Sequence, residues 1–127
     1  MKSFKDLGLS QDLLKVLEDI HFHEPTEIQK KVIPLALAGN EIIGKSATGS
    51  GKTLAFGAPI IEKLHVGKGL QALILAPTRE LTDQISKSLF TFSKYKLLKI
   101  APIYGGVSIG PQIDALKTAN IVVGTPG

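Results

Sequence analysis

The sequence predicts an α/β fold, a parallel β-sheet flanked by helices. Three observations carry that expectation. Apolar runs of strand length recur in the second half, "LQALILAP", "LLKIAPIY" and "NIVVGTPG". The segments between them space their apolar residues at helical intervals, and strands alternating with helices form βαβ units whose strands run parallel. Finally, "SATGSGKT" sets a glycine-rich loop between a strand-type and a helix-type segment, where open α/β proteins hold phosphate.

The elements follow in order. Residues 10–20 put Leu13, Leu14, Leu17 and Ile20 on one helical face, with Ser10 as N-cap. A second helix is expected from about Thr26 to Ala38, burying Ile28, Val32, Leu35 and Ala36 and kinked at Pro34. "NEIIGKS" reads as a short strand leading into the glycine loop, and a helix follows from about Lys52 to Leu64. The run near residues 70–76 has the unbroken apolar pattern of a strand buried on both faces. "TRELTDQISKSLFTF" is the next helix, with Leu81, Ile85, Leu89 and Phe92 along one side. "LLKIAPIY" is a strand, "SIGPQIDALKTA" a short helix beginning near Pro111, and "NIVVGTPG" a fourth strand. The expected organisation is a helical region over residues 1–38 and a βα core over 39–127, incomplete at its C-terminal end because no helix follows the last strand.

Bulk properties narrow the class. The chain has 127 residues, enough for one domain, and 43% apolar content suits a globular α/β protein. No apolar run reaches membrane-spanning length, the N-terminus lacks a signal-type core, and there is no cysteine for disulfides or thiolate metal sites. The expected location is therefore intracellular and cytoplasmic, with a nuclear site left open. Charge is uneven: residues 63–127 carry eight Lys/Arg against three Asp/Glu, within a net charge of +4. A basic second half points toward a polyanion partner, although a solvated lysine surface gives the same count.

The glycine loop carries the most specific chemistry. In the general phosphate-loop pattern G-x-x-x-x-G-K-[ST], the last three positions are Gly51, Lys52 and Thr53. Ser46 occupies the first glycine position, so the strict pattern fails there. What remains is Ser46, Ala47, Thr48, Gly49 and Ser50, small residues that let successive backbone N–H groups curl toward an anion. The helix starting near Lys52 adds its positive end. Lys52 can reach the β- and γ-phosphates, and the Thr53 hydroxyl can ligate Mg²⁺. A flexible Gly/Ser turn with an exposed lysine is the alternative, which the flanking strand and helix weigh against.

The loop resembles the A-x-T-G-S-G-K-T phosphate loop of DEAD-box RNA helicases, and its neighbours agree. "HFHEPTEIQ", residues 21–29, is similar to that family's Q motif, and Phe4 lies seventeen residues before His21, the spacing of the family's isolated aromatic. "PTREL", residues 77–81, resembles motif Ia, Gly105-Gly106 the GG motif, and "TPG", residues 125–127, the start of motif Ib. Departures are His21 for the usual glycine, Ser46 for alanine, and Thr82 for the alanine after PTREL. Nothing matches the Asp-Glu-Ala-Asp motif, the later Ser-Ala-Thr motif or the second RecA-like domain.

The resemblance implies a RecA-like P-loop NTPase fold, ATP with Mg²⁺ as cofactors and RNA as partner. Gln29 presents a carbonyl and an NH₂ side by side, which matches adenine N6/N7 but not the two acceptors of guanine. Thr26-x-x-Gln29 is equally a capping box. Phe4 would stack on the purine, or simply staple the first helix. Pro77, Thr78, Arg79 and Glu80 begin a helix at a strand's end, where Arg79 and backbone amides can hold an RNA phosphate; ordinary capping by Thr78 is the plainer reading. Gly105, Gly106, Thr125, Pro126 and Gly127 end other strands on the same edge. These residue types suit phosphate and sugar, which position RNA without specifying its sequence. Tyr95 and Tyr104 read as packing residues.

The family's cycle also needs a metal-holding carboxylate and arginines from a second domain. The full-length protein is thus expected to be an ATP-dependent RNA helicase, with Lys52 and Thr53 as catalytic residues, whereas the 127 residues alone should not hydrolyse ATP. The resemblance also implies an unpaired apolar edge beside the ATP loop, where the related fold has further strands, and such an edge should favour self-association. The alternative is a non-catalytic ATP- or RNA-binding module or regulatory short form.

Overall fold

The computed structural model describes residues 3–45, 51–106 and 108–126. Two compact units make up the chain, Met1–Lys63 and Leu64–Gly127.

The first unit is helical among its described residues. A 3-10 turn at Phe4–Leu7 leads through Gly8, in the left-handed region, to α1 at Gln11–Asp19. Ser10 caps α1 as expected, accepting from the Leu13 N–H, and its own hydroxyl donates to Glu62 Oε1 at 2.8 Å, fastening the start of α1 to a residue fifty-two positions on. The buried face of α1 is Leu13, Val16 and Leu17. Helix α2 spans Glu27–Leu37 and continues as a helix past Pro34. Its buried stripe differs from the expected one: Gln29 and Ile33 are buried, Leu35 is exposed, and Ile28, Val32 and Ala36 are half-buried. A glutamine can occupy the core here because its amide is hydrogen-bonded at both ends, which a hydropathy pattern does not register. Helix α3 spans Lys52–Lys63 and packs along α2.

The strand expected in "NEIIGKS" is absent over residues 40–45; Ser46 lies outside the described residues. Ile43 is 92% exposed. A strand exists by virtue of a ladder partner, and no described strand pairs with this segment.

The second unit is a three-stranded parallel sheet in the order β1-β3-β2, with β1 at Ala72–Leu75, β2 at Ile100–Ile103 and β3 at Ile121–Gly124. Helix α4 (Arg79–Phe92) connects β1 to β2, and α5 (Ile109–Leu116) connects β2 to β3. Central β3 is buried throughout. Edge strand β1 is not: Leu73 is 66% and Leu75 61% exposed, so the run expected to be covered on both faces is open on one. Pro102 is tolerated because β2 is also an edge, where a missing N–H costs no ladder bond on the outer side. On α4 the buried residues are Thr82, Ile85, Ser86, Leu89 and Phe92, with Leu81 partly exposed. Thr82 takes the inner position because its hydroxyl donates to the Thr78 carbonyl at 3.0 Å.

Asn120 ties the strand beginnings together. It is 3% exposed; its Oδ1 accepts from the Lys99 N–H and its Nδ2 donates to the Gly69 carbonyl, each at 3.0 Å. At the opposite end the register aligns Leu75, Gly124 and Ile103.

Candidate functional site

Each unit contributes one group of candidate residues. In the first unit the group is assembled by the cap of α2 and the start of α3. Thr26 is the N-cap of α2, and the capping box closes: the Thr26 N–H donates to Gln29 Oε1 at 2.9 Å and the Gln29 N–H donates to Thr26 Oγ1 at 3.4 Å. The remaining end of the Gln29 amide reaches across to α3, its Nε2 donating to the Gly51 carbonyl at 3.2 Å. Gln29 is 2% exposed. One N–H and one lone pair of the amide are left over after these bonds.

Gly51 has φ +87°, and a Cβ built there would collide with the Gln29 amide and sit 3.2 Å from Thr26 Oγ1. Only glycine fits, for reasons of both backbone and space. Lys52 and Thr53 open α3, so their N–H groups have no intrahelical acceptor; Lys52 is exposed and Thr53 half-buried. Ser46, Ala47, Thr48, Gly49 and Ser50 lie outside the described residues. Phe4 is buried, and also lines an open hollow with Leu17, Phe22 and His23. Between α2, α3 and residues 40–44 lies an apolar cavity of about 390 Å³ whose polar lining includes Asn40, Lys52 and Lys63.

In the second unit the parallel register sends three loops off one edge of the sheet. The chain leaves β1 through Ala76 to Pro77 and Thr78, β2 to Tyr104, Gly105 and Gly106, and β3 to Thr125 and Pro126; Gly127 lies outside the described residues. Backbone bonds extend the ladder into these loops, from the Ala76 N–H to the Gly124 carbonyl and from the Thr125 N–H to the Ile103 carbonyl. Gly124 permits that approach, since a Cβ there would stand 3.0 Å from the Ile103 oxygen. Thr78 caps α4, accepting from the Leu81 N–H at 3.1 Å, and Arg79 and Glu80 form its exposed first turn.

Tyr104, read from sequence as a packing residue, does more. Its ring lies under the Arg79 guanidinium, 4.6 Å from Cζ to the centroid. Its hydroxyl donates to Asp83 Oδ1 at 3.2 Å and its N–H donates to Gln112 Oε1 at 2.8 Å. A Cβ built at Gly106, where φ is +80°, would lie 3.9 Å from Arg79 Nη1. Among the described residues no hydrogen bond or carboxylate engages the Arg79 guanidinium. Asp83 and Gln112 were not singled out by sequence; the available signal was an aromatic directly before Gly105-Gly106.

A family model described as DEAD/DEAH box helicase matches residues 26–127. The chain belongs to the DEAD/DEAH box helicase family. Among curated DEAD-box relatives, it is 49% identical to the DEAD-box ATP-dependent RNA helicase CshA of Geobacillus kaustophilus, over all of this chain and 28% of that protein. It is 48% identical to CshA of Bacillus subtilis over 98% of this chain and 26% of that protein. The chain therefore spans little more than a quarter of these relatives. Among solved structures, a DEAD box protein from Methanococcus jannaschii superposes with a TM-score of 0.95 at 49% identity, over 98% of this chain and 35% of the other. Prp28 from Chaetomium thermophilum, bound to ADP, gives 0.88 at 40% identity over 100% and 33%. The fold is thus the RecA-like one of DEAD-box helicases, represented here by a three-stranded parallel sheet with flanking helices.

Proposed function

We propose that this chain is the nucleotide- and RNA-engaging portion of an ATP-dependent RNA helicase. Family membership supports the activity; one observation supports the division of labour within the chain. Adjacent parallel strands in register deliver PTREL, Gly105-Gly106 and Thr125-Pro126 to a single sheet edge, with an arginine among them that no carboxylate engages among the described residues. Open α/β sheets bind ligands at that edge, and these residues offer hydroxyls, amides and one guanidinium, a set suited to holding phosphate and sugar, contacts that position a strand without specifying its sequence.

The first-unit group suits a nucleoside triphosphate. Left-handed Gly51 lets the backbone turn tightly into α3, Lys52 supplies positive charge at the helix start, and Thr53 is the hydroxyl we assign to Mg²⁺. When bound, the metal would supply positive charge to offset the negative charge of the triphosphate. Gln29 links base recognition to the phosphate loop: the residue assigned to adenine also holds the Gly51 carbonyl.

The proposal assigns hydrolysis to the protein as a whole. Joined to the C-terminal remainder of the Geobacillus relative, the chain should show RNA-stimulated ATPase and duplex unwinding, both abolished by Lys52→Ala; alone it should show neither. Robust turnover by the 127 residues alone, or unwinding by the fusion that survives Lys52→Ala, refutes the assignment.

A further inference from the structure

We infer that Tyr104 is a positioning residue for RNA binding, aiming Arg79 while sparing it from Asp83. The inference rests on the reading of the PTREL edge as an RNA-phosphate site and adds a residue to it.

The contacts divide into two tasks. The ring face carries the guanidinium at 4.6 Å. Stacking orients a planar cation without using any of its five N–H donors and without cancelling its charge. A carboxylate clamp would do the opposite, consuming two donors and neutralising the group that must meet a phosphate.

Such a carboxylate is close by. Asp83 lies four residues after Arg79 on α4, where side chains share a helix face and opposite charges pair. In the structure Asp83 does not pair with Arg79; its Oδ1 accepts from the Tyr104 hydroxyl instead. Tyr104 thus supports the arginine with its face and occupies the competing acid with its edge. It is itself fixed from α5 through the Gln112 amide, which also donates to the Ser108 carbonyl at 3.3 Å. The loops after β1 and β2 therefore act as one piece, and among the described residues no acceptor takes up the Arg79 donors at the edge where Gly106 passes.

The test is fluorescence anisotropy of the chain with a fluorescein-labelled single-stranded oligo-U RNA at low salt, repeated over a salt series. Arg79→Ala should remove one phosphate contact, lowering the slope of log K against log salt by about 0.7. Tyr104→Leu removes the stacking face and should weaken binding about two- to fivefold. Tyr104→Phe keeps the face but releases Asp83, and should weaken binding about twofold. Adding Asp83→Asn to Tyr104→Phe should restore the parent affinity, a rescue that a purely structural tyrosine would not give. Stepwise fluorination of phenylalanine at position 104, which conserves shape while draining the ring face of negative charge, should weaken binding progressively and covers the case in which Tyr104→Leu fails to fold. If RNA binding is absent or indifferent to Arg79→Ala, the RNA-site reading falls and the inference with it. If Arg79→Ala weakens binding while Tyr104→Leu or the fluorinated series does not, or if Asp83→Asn gives no rescue, the inference alone is overturned.

Discussion

Replacing Gln29 by Glu tests the junction between α2 and the start of α3 with almost no change in shape. One oxygen of the new carboxylate can still accept the Thr26 N–H, so the cap survives. The other would face the Gly51 carbonyl at the 3.2 Å now spanned by a hydrogen bond. Loss of that bond costs about 1 kcal/mol. Gly51 retains a second bond from the Ala55 N–H, so its oxygen is not orphaned. Burying the charge at a site only 2% exposed adds about 1–3 kcal/mol. The expected loss near neutral pH is about 2–4 kcal/mol, or roughly 4 °C of melting temperature per kcal/mol. Burial and the facing carbonyl raise the introduced carboxyl above its unfolded value. Stability is then fullest below the unfolded pKa, where the protonated acid can donate to Gly51, and declines as pH rises through the folded pKa. Circular-dichroism melts at pH 5 and 7.5 check this: the gap to the parent chain should be wide at 7.5 and narrower at 5. Gln29→Met, which loses both side-chain bonds without adding a charge, should show the same deficit at both. A Gln29→Glu variant as stable as the parent at pH 7.5, or one whose deficit grows on acidification, would refute the donor role given to the Gln29 amide.

Gly51→Ala should cost about 1–3 kcal/mol from its left-handed backbone alone, with a further penalty from collision with Gln29 and Thr26; thermal melts and binding of a fluorescent ATP analogue should both register it. Asn120→Ala, which strips the Lys99 N–H of its side-chain acceptor and removes one of two side-chain donors from the Gly69 carbonyl, where the Gln71 amide remains, should lower stability by about 2–4 kcal/mol, read as a drop in urea midpoint with little change in m-value. Exposure of Ile43, Leu73 and Leu75 predicts concentration-dependent self-association of the isolated chain, and light scattering that reports a monomer across a hundredfold concentration range would contradict it.

Helix boundaries were the most legible part of the sequence, because Ser10, Thr26 and Thr78 announce themselves as caps and each one forms the expected bond. The parallel sheet was legible from three apolar runs, but its centre was not: the run at 70–76, read as buried on both faces, is edge strand β1, and β3 lies in the middle. Burial was less so. Gln29 and Thr82 are interior because local bonds satisfy them, whereas Leu35 and Leu81 are left outward. The 40–45 segment has strand composition but no described ladder partner, and pairing is not a property of one segment. At the candidate site the glycines and Arg79 could be singled out by residue type. Tyr104 could not, since its role depends on where Arg79 and Asp83 stand after folding.

Asn120 gives the sheet the mechanics of a hand fan. The sticks are riveted where they begin, at Lys99 and Gly69, while the leaf lies at the far end, where PTREL, Gly105-Gly106 and Thr125 emerge. Mutations in the leaf therefore leave the rivet untouched, so those loops can be altered without the strands losing their order.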